Sequence, residues 1–105
     1  MVALHATHLL TCHVAGTGHH CSPAIAQDLR LGKRHELVRE PANHHDPDAI
    51  AVQLDHQRIG FVPRRHNTLL ARLLDAGKNL RAKIDDAEGL DGGWMKVVMA
   101  VELAE

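Results

Sequence analysis

Aromatic residues are nearly absent from this chain of 105 residues, in which Tyr does not occur and Phe and Trp occur once each. Phe61 and Trp94 cannot fill the core of a domain by themselves, so that core must be built from aliphatic side chains. The hydrophobic fraction of 45% is ordinary for a globular protein. A chain of this length predicts one domain, which can bury a sufficient core without disulfides or metals.

Cysteine and long apolar runs are also scarce. Cys12 and Cys21 are the only cysteines, and the first residues lack the basic start and apolar run of a secretory signal. Two thiols in such a chain predict reduced cysteines and a cytoplasmic location. No stretch approaches the roughly 18 apolar residues of a membrane-spanning helix, so we expect no membrane partner.

Charged residues are missing from the first 27 positions and are unevenly distributed after them. The formal net charge is −1, which excludes a strong overall attraction to nucleic acid. Residues 28–83 carry 11 Lys and Arg against 7 Asp and Glu, whereas residues 84–105 carry one Lys against 6 acidic residues. The basic middle predicts a local positive face, and an ordinary surface of mixed charge explains the same counts equally well.

Six short segments have the β-branched content or the apolar alternation that is typical of strands. They are residues 4–14, 33–38, 49–54, 59–62, 80–84 and 94–103. A polar turn at residues 55–57 joins the third and fourth segments as a hairpin. An acidic, glycine-rich loop at residues 88–93 precedes the last. Short strands with turn signals between them predict a mainly β fold, a small barrel.

The strongest helical pattern covers residues 68–76. Four leucines there recur at the spacing of one helix face and predict packing against the core: Leu69, Leu70, Leu73 and Leu74. Asn67 or Thr68 can cap the start of this helix, and Gly77 stands just past its end. A shorter helix is predicted within residues 22–27, with a serine cap followed by proline.

A polar loop within residues 37–62 is the most unusual part of the chain, because it lies between two predicted strands. Pro41 and Pro47 prevent regular strand pairing there. Other polar side chains in the loop can hydrogen-bond to nearby backbone and hold one conformation; they are Asn43, Asp46 and Asp48. A structured polar loop carried by strands predicts a binding site.

The pattern L-V-R-E-P-x-N-x-x-D-P-x-A-I-x-V begins at Leu37 and is followed by x-I-G-F-V-P. It resembles the HIRAN domain, a small module at the N-terminus of some DNA-remodelling helicases and a free-standing protein in bacteria. The resemblance extends from about residue 9 to residue 103. It implies an oligonucleotide-binding-like β-barrel of about six strands with one main α-helix, and residues 1–105 as a single HIRAN-like domain.

The same resemblance implies a function. We expect a domain that binds single-stranded DNA at a free 3′ end, in DNA repair or replication-fork processing. No cofactor and no catalytic step are expected. A helicase or a nuclease is the protein partner that the resemblance suggests, and the sequence leaves open whether such a partner exists.

Seven residues correspond to the DNA-binding positions of the family: His19, His20, Asn43, Asp46, Phe61, Arg64 and Arg65. His19 and His20 stand where the family has an aromatic pair that holds bases, and their smaller rings predict weaker stacking. Asn43 and Asp46 match residues that read the terminal nucleotide. A carboxylate only accepts hydrogen bonds, so Asp46 suits a terminal hydroxyl and repels a phosphate. Phe61 and Arg64 stand at positions that face the ligand in the family, and Arg65 is the neighbour of Arg64.

Structural interpretations of these residues stay open. Asn43 and Asp46 can hold the turn or contact a ligand, and the sequence leaves both roles open. For Arg39 and Glu40 we favour a structural ion pair. The sequence contains no nucleophile–base pair that predicts an enzyme.

Two other functions also stay open. The chain has 10 histidines, and the His, Cys and Asp residues at positions 12–13, 19–21 and 44–46 include zinc-ligand types. A metal-binding protein is therefore the second hypothesis, although no C-x-x-C or H-x-x-x-H spacing supports it. A protein-interaction module without nucleic-acid binding is the third.

Overall fold

The computed structural model describes residues 5–21, 34–89 and 95–104. These residues form six strands and two helices, which confirms the predicted mainly β fold with one main helix. The strands are β1 (Ala6–His13), β2 (Arg34–Arg39), β3 (Ile50–Leu54), β4 (Gln57–Phe61), β5 (Asn79–Gly89) and β6 (Met95–Ala104). The helices are α1 (Thr17–His20) and α2 (Arg64–Asp75). The single turn α1 was not predicted, and the helix predicted within residues 22–27 lies outside the described residues.

All six strands belong to one antiparallel sheet in the order β1-β6-β5-β2-β3-β4. The two edge strands, β1 and β4, do not form a continuous ladder. The chain just after β1 meets β4 at one bridge, where Ala15 and Phe61 exchange two backbone hydrogen bonds of 2.8 Å each. The fold is therefore a partly open barrel, and this bridge holds the chain after β1 against the end of β4.

The core is aliphatic, as the scarcity of aromatic residues predicted. The largest side chains that are fully buried are Ile50, Val52, Ile59, Leu70, Ile84, Val97, Met99 and Val101. Leu80, Ala82 and Ile84 are all buried on one face of β5, which confirms the predicted alternation. Burial of these apolar side chains is the main favourable contribution to folding.

The β3–β4 hairpin closes with a two-residue turn. Asp55 and His56 both have positive φ, 49° and 68°, which is the geometry of a tight turn that follows the twist of the strands. Gln57, predicted in the turn, belongs to β4 instead.

The main helix begins earlier than predicted. α2 starts at Arg64, directly after Pro63, and the predicted caps Asn67 and Thr68 lie inside it. Both side chains bond elsewhere: Asn67 donates to Asp46 at 2.7 Å and Thr68 donates to Asp48 at 3.1 Å. The predicted caps were therefore wrong, because these polar side chains serve a tertiary contact rather than the helix start.

The end of α2 confirms the prediction. Gly77 has φ +83° and donates its N–H to Leu74 O at 2.9 Å, while Lys78 donates to Leu73 O at 3.0 Å. These two bonds form a Schellman cap, which requires a left-handed residue that glycine adopts without strain.

The leucine face is narrower than predicted. Leu70 is 1% exposed and Leu73 and Leu74 are half-buried, but Leu69 is 66% exposed. Successive helical residues are about 100° apart around the axis, so the turn that buries Leu70 directs Leu69 to solvent. The prediction that Leu69 packs on the core was wrong.

The first two residues of the predicted loop at 88–93 belong to a strand. β5 continues to Gly89 and pairs with β6, with a register shift between Ile84 and Asp86. Asp85, Asp86 and Glu88 are exposed on this strand. The rest of the predicted loop and Trp94 lie outside the described residues. Within the part of the chain that the structure describes, no helix has the length and apolar character needed to cross a membrane.

Candidate nucleic-acid interface

The loop of residues 40–49 connects β2 to β3 and is shaped by its own side chains. Asn43 Oδ1 accepts hydrogen bonds from the backbone N–H groups of His45 at 2.9 Å and Asp46 at 3.2 Å. Asp46 Oδ1 accepts one from the N–H of Asp48 at 2.9 Å. Asn43 and Asp46 therefore do hold the turn, which is one of the two roles that stayed open for them.

Carboxylates also fasten this loop to α2. Asn67, which is 3% exposed, donates from Nδ2 to Asp46 Oδ2 at 2.7 Å. Asp48 accepts from Thr68 Oγ1 at 3.1 Å and from Arg72 Nη1 at 3.2 Å. Bonds from two successive turns of a helix hold the loop in one place, as a preorganised binding site requires.

Arg39 stabilises the loop from its other side, but not through Glu40. Its guanidinium binds the Asp75 carboxylate with Nε–Oδ1 and Nη2–Oδ2 distances of 2.9 and 3.3 Å. It also donates to two backbone carbonyl oxygens of the loop at 2.9 and 3.1 Å. Glu40 pairs instead with Arg58. Both residues have structural partners, but the predicted ion pair between them was wrong, because a helix end and β4 supply closer partners.

A cleft of about 420 Å³ opens between this loop, the end of β4 and the start of α2. Four residues that the sequence predicted lie together in it: Asn43, Asp46, Phe61 and Arg64. Apolar atoms of Ala15, Ala49 and Val62 complete much of its wall. A concave site with an apolar lining and a few convergent polar groups is typical of ligand binding.

A second cleft, of about 440 Å³, lies between β2, β5 and the end of α2. Its lining residues are Arg34, His35, Glu36, Leu37, Leu74, Lys78, Asn79, Leu80 and Arg81. It contains none of the predicted site residues, so the predicted chemistry belongs to the first cleft.

Of the other three predicted residues, Arg65 alone has a described side chain, and it does not line the first cleft. Arg65 lies outside the lining and donates from Nε to His66 Nε2 at 3.1 Å. His19 and His20 are the last residues of α1, and their side chains lie outside what the structure describes. The backbone leads from Gly16, a lining residue, into α1, so α1 begins beside the cleft.

Sequence reasoning missed three lining residues with polar side chains, Arg58, His45 and Asn67. Arg58 shares β4 with Phe61, and its guanidinium carbon lies 5.0 Å from the centre of the Phe61 ring. A basic residue near the only Phe of the chain was the available signal. The sequence signal for Asn67 was weaker, because a polar side chain at that position is equally typical of a helix cap.

The HIRAN domain family model matches residues 8–104. The chain belongs to the HIRAN domain family. HIRAN domains are known as nucleic-acid-binding domains, and the resemblance that the sequence predicted is confirmed.

Solved structures agree with this fold. A crystal structure of a protein from Lactobacillus plantarum has a TM-score of 0.83 and 28% sequence identity, covering 98% of this chain and 99% of its own. The crystal structure of the HIRAN domain of human HLTF has a TM-score of 0.71 and 18% identity, covering 90% of this chain and 74% of its own. Among curated proteins, none matches this sequence significantly.

Charge in the cleft of this HIRAN domain is mixed. Hydrogen bonds from the Asp48 N–H and from Asn67 lower the pKa of Asp46, and the charges of Arg64 and Arg39 add to that effect. Asp46 is therefore an anion at neutral pH. Arg64 has a side chain that is 73% exposed, and its Nε lies 3.7 Å from Asp46 Oδ2. The cleft thus presents one anionic acceptor beside one accessible cation.

The described residues of this HIRAN domain offer little support for a metal centre. No group of three or more His, Cys, Asp or Glu side chains in that part of the chain is arranged to hold an ion. Cys12 and Cys21 are free and buried, and burial raises the pKa of both thiols. Protonated thiols are poor ligands, so nothing here favours the metal-binding hypothesis.

Acid should weaken this HIRAN domain through the pair of Arg39 and Asp75. The hydrogen bond from Arg39 lowers the pKa of Asp75, and the charges of Arg39 and Arg72 act in the same direction. A depressed pKa contributes stability above the unfolded value of about 3.9 and loses it as pH falls through the folded value. Asp75→Asn should therefore lower the free energy of unfolding at neutral pH and have progressively less effect below that value.

Urea unfolding of both proteins from about pH 7 down to about pH 2 measures this difference. Asp86→Asn, which changes an exposed carboxylate on β5, is the control and should leave the free energy of unfolding at neutral pH close to that of the wild-type protein. A gap for Asp75→Asn that stays constant down to the lowest pH would show that the ion pair does not contribute.

Proposed function

We propose that this HIRAN domain binds single-stranded DNA by its free 3′ end, in the cleft between the 40–49 loop, β4 and α2. The observation that carries the proposal is the convergence of Asn43, Asp46, Phe61 and Arg64 on that cleft. A ring for a base, a cation for a phosphate and a fixed carboxylate for an end group are what a nucleotide terminus requires.

Turn-holding does not prevent Asp46 from binding a ligand. A carboxylate has about four acceptor positions on its two oxygens. Asp48 N–H uses one of them on Oδ1, and Asn67 uses one on Oδ2. The remaining positions suit a 3′-hydroxyl, which donates one proton. The bonds that hold the turn also hold the carboxylate in place for that contact.

The same carboxylate opposes a 3′-phosphate. Two anions in one cleft repel each other, and Asp46 cannot relieve this by protonation because its pKa is lowered. Arg64 can bind a phosphate of the DNA. Its exposed guanidinium donates from Nη2 to the His45 carbonyl oxygen at 2.8 Å, and a guanidinium has five N–H donors in all. We infer that Asp46 selects the end and Arg64 contributes general affinity.

Discrimination between ends is the test of this proposal. Fluorescence anisotropy should show an oligonucleotide with a 3′-phosphate binding about tenfold or more weakly than the same oligonucleotide with a 3′-hydroxyl, since 1.4 kcal/mol corresponds to tenfold. Asp46→Asn should weaken the hydroxyl form, because the charge-assisted bond is lost, and should shrink the difference between the ends.

Asp48→Asn is the matched control. Asp48 belongs to the same loop and also bonds to α2, but it does not line the cleft. Its substitution should leave the discrimination between ends intact. Equal discrimination in wild type, Asp46→Asn and Asp48→Asn would show that Asp46 serves the turn alone. His19→Ala and His20→Ala should weaken both ends alike, because base stacking does not depend on the end group.

The proposal extends to the setting of this binding. We infer a cytoplasmic domain that binds without catalysing a reaction, in DNA repair or replication-fork processing. A helicase or a nuclease is the partner that would act on the captured end. Co-purification with such an enzyme that is lost when the 3′ end is blocked would support this part.

A further inference from the structure

Arg58 lines the cleft but has no role in the proposed recognition of the 3′ end. It lies on β4, and its guanidinium carbon is 5.0 Å from the centre of the Phe61 ring, over the ring. Its side chain is 40% exposed and lines the cleft. In a chain with a single Phe and a single Trp, this pair is a rare planar surface at the site.

The guanidinium of Arg58 is held in place by the loop. Nη2 pairs with Glu40 Oε2, and Glu40 Oε1 accepts a hydrogen bond from Asn43 Nδ2 at 3.3 Å. The Glu40 side chain is 20% exposed, so this chain of contacts is partly removed from water. Arg58 is therefore joined through one carboxylate to Asn43, which also lines the cleft.

Two features distinguish Arg58 from a phosphate ligand. Its positive charge is compensated by Glu40 at close range, whereas Arg64 is 73% exposed and its Nε is 3.7 Å from the nearest carboxylate oxygen. Its Nε is buried and has no hydrogen-bond partner among the described residues. Most buried donors are paired, so this Nε is an exception within the fold. The guanidinium is planar and belongs to a side chain that is partly exposed at the cleft.

We propose that Arg58, supported by Phe61 and Glu40, is a stacking platform for a nucleobase near the 3′ end. Guanidinium planes stack on bases as aromatic rings do. Because Glu40 compensates the charge of Arg58, the guanidinium attracts a phosphate less strongly, but its planar face is unchanged. This inference rests on the proposed function and assigns the base-binding role to a cation that sequence reasoning missed.

The substitution Arg58→Lys tests it, because lysine keeps the charge and loses the plane. Binding of a 3′-hydroxyl oligonucleotide should weaken about five- to tenfold, in the range of one base stacked. The slope of log affinity against log salt should stay as in wild type. Arg64→Ala is the comparator and should reduce that slope by about 0.7, the value for one phosphate of a single strand.

Abasic oligonucleotides separate stacking from a structural role. An abasic nucleotide is placed in turn at each of the last two positions of the 3′ end. At one of them wild type and Arg58→Lys should bind equally, because the base that stacks on Arg58 is missing. Arg58→Gln, which keeps a smaller planar group without charge, should lose less affinity than Arg58→Lys. Thermal unfolding by circular dichroism checks that each variant is folded.

The outcomes are distinct. Arg58→Gln should keep the wild-type salt slope. A lower slope in this uncharged variant would make Arg58 a phosphate contact, and a loss in Arg58→Lys that persists at both abasic positions would make its role structural; either result overturns the inference. Wild-type affinity in a folded Arg58→Lys would overturn it as well, while the 3′-end proposal stands. A wild-type domain that binds none of these oligonucleotides would overturn the proposed function and this inference with it.

Discussion

Replacing Gly60 by alanine should lower the free energy of unfolding and weaken DNA binding together. A Cβ at this position would overlap the carbonyl oxygen of Ala15 and lie 2.5 Å from Val14 Cγ1. That carbonyl accepts the N–H of Phe61 in the bridge between β4 and the chain just after β1, so relief of the clash breaks the bridge. Overpacking costs about 1–3 kcal/mol and each lost hydrogen bond about 0.5–1.5 kcal/mol, so we expect a loss of about 2–4 kcal/mol.

The effect on binding follows from the position of the bridge. Ala15 and Phe61 both line the cleft, and their separation would widen it and release the Phe61 ring. Affinity for a 3′-hydroxyl oligonucleotide should therefore fall even at temperatures where Gly60→Ala remains folded. Urea unfolding and fluorescence anisotropy measure the two effects.

Gly89→Ala is the control for this prediction. Gly89 also lies in a strand, but the nearest atom to an added Cβ is Met95 Sδ at 3.9 Å, an ordinary contact. Its substitution should leave stability and affinity within experimental error or raise stability slightly. If Gly60→Ala and Gly89→Ala behave alike, the close approach of Ala15 to β4 does not constrain the fold.

Leu70→Ala should lower the free energy of unfolding by about 2–5 kcal/mol, the range for a buried leucine that leaves a cavity. Leu70 is 1% exposed and belongs to the core cluster that joins α2 to the sheet. The change removes apolar contacts on the sheet side of α2, the helix that also carries Asn67 and Arg64 into the cleft. A folded variant should therefore also bind DNA more weakly.

The neighbouring leucine provides the comparison. Leu69 is 66% exposed on the same helix, so Leu69→Ala removes a leucine without creating a cavity. It should change stability by less than about 0.5 kcal/mol, as surface substitutions do. The two variants are compared by the midpoints of their urea unfolding curves, provided that the slopes of the transitions are equal. Equal losses at both positions would contradict the packing of α2 described above.

Much of the fold was predictable because local patterns determined it. Alternation on β5 depends on the period of a strand, and the buried Leu80, Ala82 and Ile84 confirm it. Gly77 was correctly placed after the helix, because the left-handed conformation found there suits glycine. The loop side chains Asn43 and Asp46 hydrogen-bond to backbone N–H groups two or three residues away. Contacts between residues this close in sequence can be predicted without the tertiary structure.

The predicted hydrogen-bond and ion-pair partners were wrong where a side chain could bond either to a near neighbour or to a residue distant in sequence. Asn67 has the chemistry of a helix cap, yet it bonds to Asp46, a residue 21 positions earlier. Arg39 stands beside Glu40 in sequence, yet its carboxylate partner is Asp75. Neighbours along a strand point to opposite faces, so two residues that are adjacent in sequence need not be in contact. Arg58 was missed for the same reason, because both Glu40 and Phe61 meet it only in the folded sheet.

The sequence by itself determined the family, the mainly β fold, the aliphatic core and the loop that carries Asn43 and Asp46. The family follows from the motif that begins at Leu37. The other features depend on composition, periodicity and bonds between near neighbours, all of which are present in the chain before it folds. Only the tertiary structure decided which side chains share the cleft, that Arg65 lies outside it, and that Arg58 lies over Phe61. Such contacts depend on the register of strands and the start of α2, which long-range packing selects from several locally acceptable alternatives.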